Sequence, residues 1–110
     1  MQALRNLPTE APAQLSDLIG VQSGRVVSMA MSSVDGCQMT LLAFDEDESV
    51  SEEMYFGDTL YYIVEGGLTV SIDGASHDMH VGDCLAVPAK TPHAVAAIGS
   101  CKILQITLTE

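Results

Sequence analysis

Residues 82–93 read G-D-C-L-A-V-P-A-K-T-P-H, and the order of those residues sets how the surrounding chain is built. Gly82 supplies a turn residue free of a Cβ penalty. Cys84 to Val87 have the apolar content of a short buried strand, and Pro88 ends it by withholding a ladder donor. Pro92 then fixes the backbone just ahead of His93, and Ala94 to Ile98 resume an apolar run. A histidine placed behind so rigid a corner enters a sheet in a defined direction, which is how a site residue is held.

Outward from this stretch the chain alternates with a period of two rather than 3.6. Upstream come Leu60 to Glu65, a Gly66-Gly67 turn, Leu68 to Ile72, an Asp73-Gly74 turn and Ala75 to His80, which together predict a meander of hairpins. Downstream, Leu104, Ile106 and Leu108 alternate with Gln105, Thr107 and Thr109 over Cys101 to Leu108. Nearer the start, Arg25 to Met31 places Val27, Met29 and Met31 on one face. After the Asp35-Gly36 turn, Cys37 to Phe44 sets Met39, Leu41 and Ala43 against Gln38 and Thr40. Residues 1–24 predict an irregular N-terminal arm, since Pro8 and Pro12 forbid a long helix and Ser16 to Ile19 allow one turn at most. The arm is expected to drape over the barrel or a neighbouring subunit. The fold class is therefore all-β: about eight short antiparallel strands over residues 25–110, in one domain whose edges a jelly-roll barrel would protect.

Composition narrows the partners. The chain of 110 residues carries 15 acidic and 4 basic side chains, a net charge of −11. So acidic a surface repels phosphate backbones and anionic lipid, which argues against nucleic-acid and membrane partners. Six carboxylates fall between Asp45 and Glu53, where a solvated loop is expected, without the glycine-punctuated spacing of a calcium site. Residues 1–10 lack the apolar core of a signal peptide, so a cytoplasmic location is expected. Cys37, Cys84 and Cys101 form no C-x-x-C pair, and each sits in an apolar run, as small buried hydrophobes do.

The spacing of Gly82, Pro88 and His93 resembles the second motif of the cupin superfamily, G-x5-P-x-G-x2-H-x3-N. Lys90 stands where that motif often has glycine, and Ala97 where it often has asparagine. Anchored on Gly66, the first cupin motif, G-x5-H-x-H-x3-4-E-x6-G, puts its glutamate position on Thr59. Its two histidine positions fall on Met54 and Phe56, or on Glu53 and Tyr55 in the longer register. Gly57-Asp58 and Gly82-Asp83 resemble the two half-motifs of one barrel. The resemblance implies a double-stranded β-helix, an RmlC-like jelly roll, and a homodimer. It also implies that the usual centre of three histidines and one glutamate is not intact, with His93 the one ligand position kept.

No cofactor is therefore expected; if a divalent transition metal were held, Glu53 and His93 would be its ligands. His77 and His80 follow a hairpin turn, sit three apart and read as surface residues. With Thr59 facing inward, Tyr61 and Ile63 share its face. Met54, Tyr55, Phe56, Thr59, Tyr61, Ile63 and His93 are then the expected lining of a pocket for a small, largely apolar or uncharged molecule. His93 and Tyr61 would be its polar contacts, or the acid/base pair of a metal-free isomerase or epimerase, as in cupins that resemble sugar epimerases. A dioxygenase-like enzyme with a reduced ligand set is the other enzymatic reading.

Overall fold

The computed structural model describes residues 3–110. Seven strands carry the alternation: β1 (Val26–Val34), β2 (Cys37–Phe44), β3 (Ser49–Glu53), β4 (Asp58–Ile72), β5 (Ala75–His80), β6 (Cys84–Val87) and β7 (His93–Leu108). All pairings are antiparallel. β4 and β7 are long enough to serve two sheets. The first half of β4 pairs with β6 and with the second half of β7, which continues to β2 and β1. The second half of β4 pairs with β5 and with the first half of β7, which continues to β3. The result is two sheets face to face, joined by the strands they share, as the jelly roll requires.

Three expectations change. Gly66-Gly67 is no hairpin turn: β4 runs through it and bends, with register shifts at Ile63/Glu65 and Gly66/Gly67, while Gly99 and Ser100 bulge opposite on β7. Gly66 takes a positive φ of 75°, and a Cβ there would run into the carbonyl oxygen of Ser100, so only glycine fits. Hence two pairs of expected strands are each one bent strand. The acidic segment is a loop only from Asp45 to Glu48; Ser49–Glu53 pairs with β7 and leaves its carboxylates in solvent. Of the cysteines, Cys101 is buried, Cys37 half-buried and Cys84 exposed, because Cys84 points away from the sheet interior on β6.

Alternation in β2 and β7 buries both faces. Phe44, Tyr61, Ile63, Val87, Cys101 and Ile103 meet Leu68, Val70, Met79, Val95 and Ala97 between the sheets. The opposite set, Leu41 and Ala43 with Met31, Val27, Met29 and Leu104, packs outside the barrel beneath Leu7, Leu15, Leu18 and Ile19 of the arm. The arm thus drapes over its own barrel, with one short helical turn at Leu15–Leu18. Its anchors are backbone groups and the side-chain amide of Asn6. Arg5 N–H donates to the Met31 carbonyl, the Asn6 amide to that of Ala30, the Ser32 hydroxyl to that of Ala3, and the Lys102 ammonium to that of Ser16. Among the described residues no helix is long and apolar enough to cross a membrane.

Candidate functional site

The Pro88–Pro92 corner and the strands it joins bring the interior polar groups together. Asp58, at the start of β4, accepts the Ala89 N–H at 2.8 Å, and the next N–H in the loop, from Lys90, donates to the Tyr55 carbonyl at 2.7 Å. The two half-motifs are thereby zipped to each other. Lys90, at the position of the motif's glycine, takes a φ of +62° to make this bond. Pro92 turns the chain inward, and His93 is 2% exposed.

His93 is held from both ring nitrogens. Nδ1 lies 2.9 Å from the Thr91 carbonyl oxygen, an acceptor only, so Nδ1 carries the proton. Nε2 then accepts from the Tyr61 hydroxyl at 2.6 Å. This bond crosses the barrel, from a strand half in one sheet to a strand half in the other. The rings meet edge-on at 69° with centroids 5.6 Å apart, and Tyr55 lies on another side of the imidazole at 5.8 Å. The Tyr61 phenol is pushed up from its ordinary 10.0, chiefly by burial and then by the nearby Tyr55 and Glu53. A buried hydrogen bond of this kind contributes about 1 kcal/mol net, and more is lost if one partner is left alone.

Beside the pair is a cavity of about 90 Å³, lined by Leu42, Phe44, Val50, Ser51, Glu53, Tyr55, Tyr61, His93, Val95 and Gln105. Of the residues expected from sequence, Glu53, Tyr55, Tyr61 and His93 converge here. Glu53 is the cross-strand partner of His93. Thr59 is buried but bonded to Thr107 at 3.0 Å, and Ile63 belongs to the packed core. Met54 is half exposed, and Phe56 is 74% exposed in an open surface depression with Lys90 and Leu108. His77 and His80 are both exposed. Leu42, Phe44, Val50, Ser51, Val95 and Gln105 were not singled out from the sequence. Gln105 stands opposite Tyr61 in the β4–β7 register, so its place at the cavity follows from the strand pairing and not from a local signal.

A transition metal held by several imidazoles does not fit this donor set. The lone pair of His93 Nε2 is engaged by Tyr61, and Glu53 is the one further ligand-type side chain at the cavity. Among the described residues no three His, Cys, Asp or Glu side chains gather into a metal-sized cluster.

A model of the cupin domain family matches residues 47–107. The crystal structure of a cupin superfamily protein from Desulfitobacterium hafniense is similar at a TM-score of 0.95 and 46% identity, covering 97% of this chain and 98% of that one. A protein of unknown function from Streptococcus pyogenes is similar at a TM-score of 0.94 and 18% identity, covering 100% of this chain and 96% of that one, a likeness of fold. An uncharacterized protein of Methanocaldococcus jannaschii is 35% identical over 46 residues, 42% of this chain and 37% of its own length. The chain thus spans little more than a third of that curated relative.

Proposed function

The chain belongs to the cupin family, and from that premise we propose that its barrel is a binding site for a small molecule, received by Tyr61 and His93 without a multi-histidine metal centre. The observation that carries this reading is the 2.6 Å bond between Tyr61 and His93 at the wall of an interior cavity otherwise lined mostly by apolar groups. Two polar side chains held in fixed rotamers beside an apolar wall are what orients a small guest. A strongly anionic guest is disfavoured, because Glu53 supplies the one full charge among the lining residues.

The same bond supports a second reading, a metal-free isomerase in which the phenol and imidazole act as acid and base. A hydroxyl and an imidazole nitrogen already in hydrogen-bond contact are in range for proton transfer. A thermal-shift screen of small metabolites tests the binding reading. Hits are expected to raise the unfolding midpoint of the parent by mass action, and to lose most of that effect in His93→Ala and Tyr61→Phe. Equal stabilisation of parent and variants would place the guest elsewhere. Turnover of a hit, detected by NMR, would select the enzymatic reading.

A homodimer is part of the proposal. Leu60 and Tyr62 on β4, with Cys84 and Ala86 beside them on β6, form an exposed outer face that the arm leaves open. None of those four side chains is charged, and Asp58, two residues before Leu60 on the same face, is engaged by the Ala89 N–H, so two chains of net charge −11 can meet there with little opposition of like charges.

A further inference from the structure

The polar atoms around the interior cavity are not evenly divided between donors and acceptors. His93 spends its Nδ1 proton on the Thr91 carbonyl, and Tyr61 spends its one proton on His93 Nε2. What Tyr61 keeps for a guest is the lone-pair side of its oxygen. Glu53, exposed and paired across the ladder with His93, adds two acceptor oxygens and a negative charge at the rim. Ser51 and Gln105 can act either way, and the lining residues include no Lys or Arg.

A carboxylate or phosphate guest would meet Glu53 with no cation to offset it. A guest with acceptors alone would face the lone pairs of Tyr61. A cationic donor satisfies both groups, and the chain's net charge of −11 draws cations toward its surface. Aromatic rings of Phe44, Tyr55 and Tyr61 also line the cavity, and such rings attract alkylammonium groups. The volume of about 90 Å³ is somewhat over half that of an engineered cavity of about 150 Å³ that binds benzene. That admits a head group and a tail of about two or three carbons.

Resting on the small-molecule reading above, we propose that the cavity takes a short primary alkylammonium. Its head lies between Glu53 and the Tyr61 oxygen, and its tail lies against Phe44 and Val95. The test compares three probes of matched length, n-propylammonium, 1-propanol and propionate, by NMR of the His93 and tyrosine ring resonances together with the backbone amides. Salt at about 0.15 M screens the acidic exterior. Propylammonium is expected to shift the His93 and Tyr61 resonances saturably and at lower concentration than propanol, with propionate inert. Glu53→Gln, at an exposed position, is expected to weaken propylammonium about three- to fivefold and leave propanol unchanged.

If propanol or propionate shifts His93 as strongly as propylammonium does, the cationic assignment is wrong while the pocket stands. Shifts confined to residues 45–48 would put the cation on the acidic loop and overturn the proposal. A silent His93 with all three probes would overturn it too, and the thermal-shift screen then judges the pocket on its own.

Discussion

Tyr61 gives up its proton less readily in the folded chain than in the unfolded one. Its phenol lies above 10.0 because burial penalises the phenolate, so the charged form is the disfavoured one. The corresponding stability is intact below about pH 10 and drains away as pH rises past the unfolded value toward the folded one. In an alkaline titration followed by ultraviolet absorbance, one tyrosine is expected to ionise only as the protein unfolds, and Tyr61→Phe to remove that step. Full ionisation of a still-folded protein a little above pH 10 would contradict this. Lys90 carries the opposite kind of constraint, a left-handed backbone at φ +62° that a glycine adopts freely. Relief of about 1–2 kcal/mol of strain, less about 0.5–1 for the freedom glycine gains on unfolding, predicts that Lys90→Gly stabilises by up to about 1.5 kcal/mol. A lower urea midpoint would refute it. Both residues were visible in the sequence, Tyr61 by its parity with Thr59 and Lys90 by its place in the motif. Gln105 and Phe44 were not, because their share in the cavity depends on which strands pair.

At the scale of the element, the crease in β4 shows what local signals leave open. Two consecutive glycines between apolar runs are a turn signal, and Asp73-Gly74 does turn the chain into β5. Whether Gly66-Gly67 reverses the strand or bends it is settled by β7, some thirty residues away, whose Gly99 and Ser100 bulge opposite. Gly66→Ala combines a disfavoured φ with a Cβ pressed into the Ser100 carbonyl, and is expected to cost about 3 kcal/mol or more. Urea unfolding measures it; a loss under about 1 kcal/mol would mean the crease relaxes. β3 escaped notice for a related reason. Four of its five residues are exposed, so Glu52 and Glu53 carry the composition of a loop, although Glu53 pairs with His93 and Glu52 sits in the register shift just before it.

For the whole molecule, the exposed face around Leu60 and Tyr62 sets the expected assembly. Light scattering at micromolar concentration is expected to give twice the chain mass, and Leu60→Glu with Tyr62→Glu to halve it without loss of the β-type circular dichroism signal. A monomeric parent would remove the dimer. β7 has a bearing on how the barrel comes into being at all. It pairs with β2, β3 and β4, binding Cys37 to Leu108, and it follows every one of those strands in the chain. On the ribosome no sheet can close until residues 93–108 have emerged, so the nascent chain must carry three unpaired strand edges to the end of this stretch. Closure is then a single late event that waits on distant contacts.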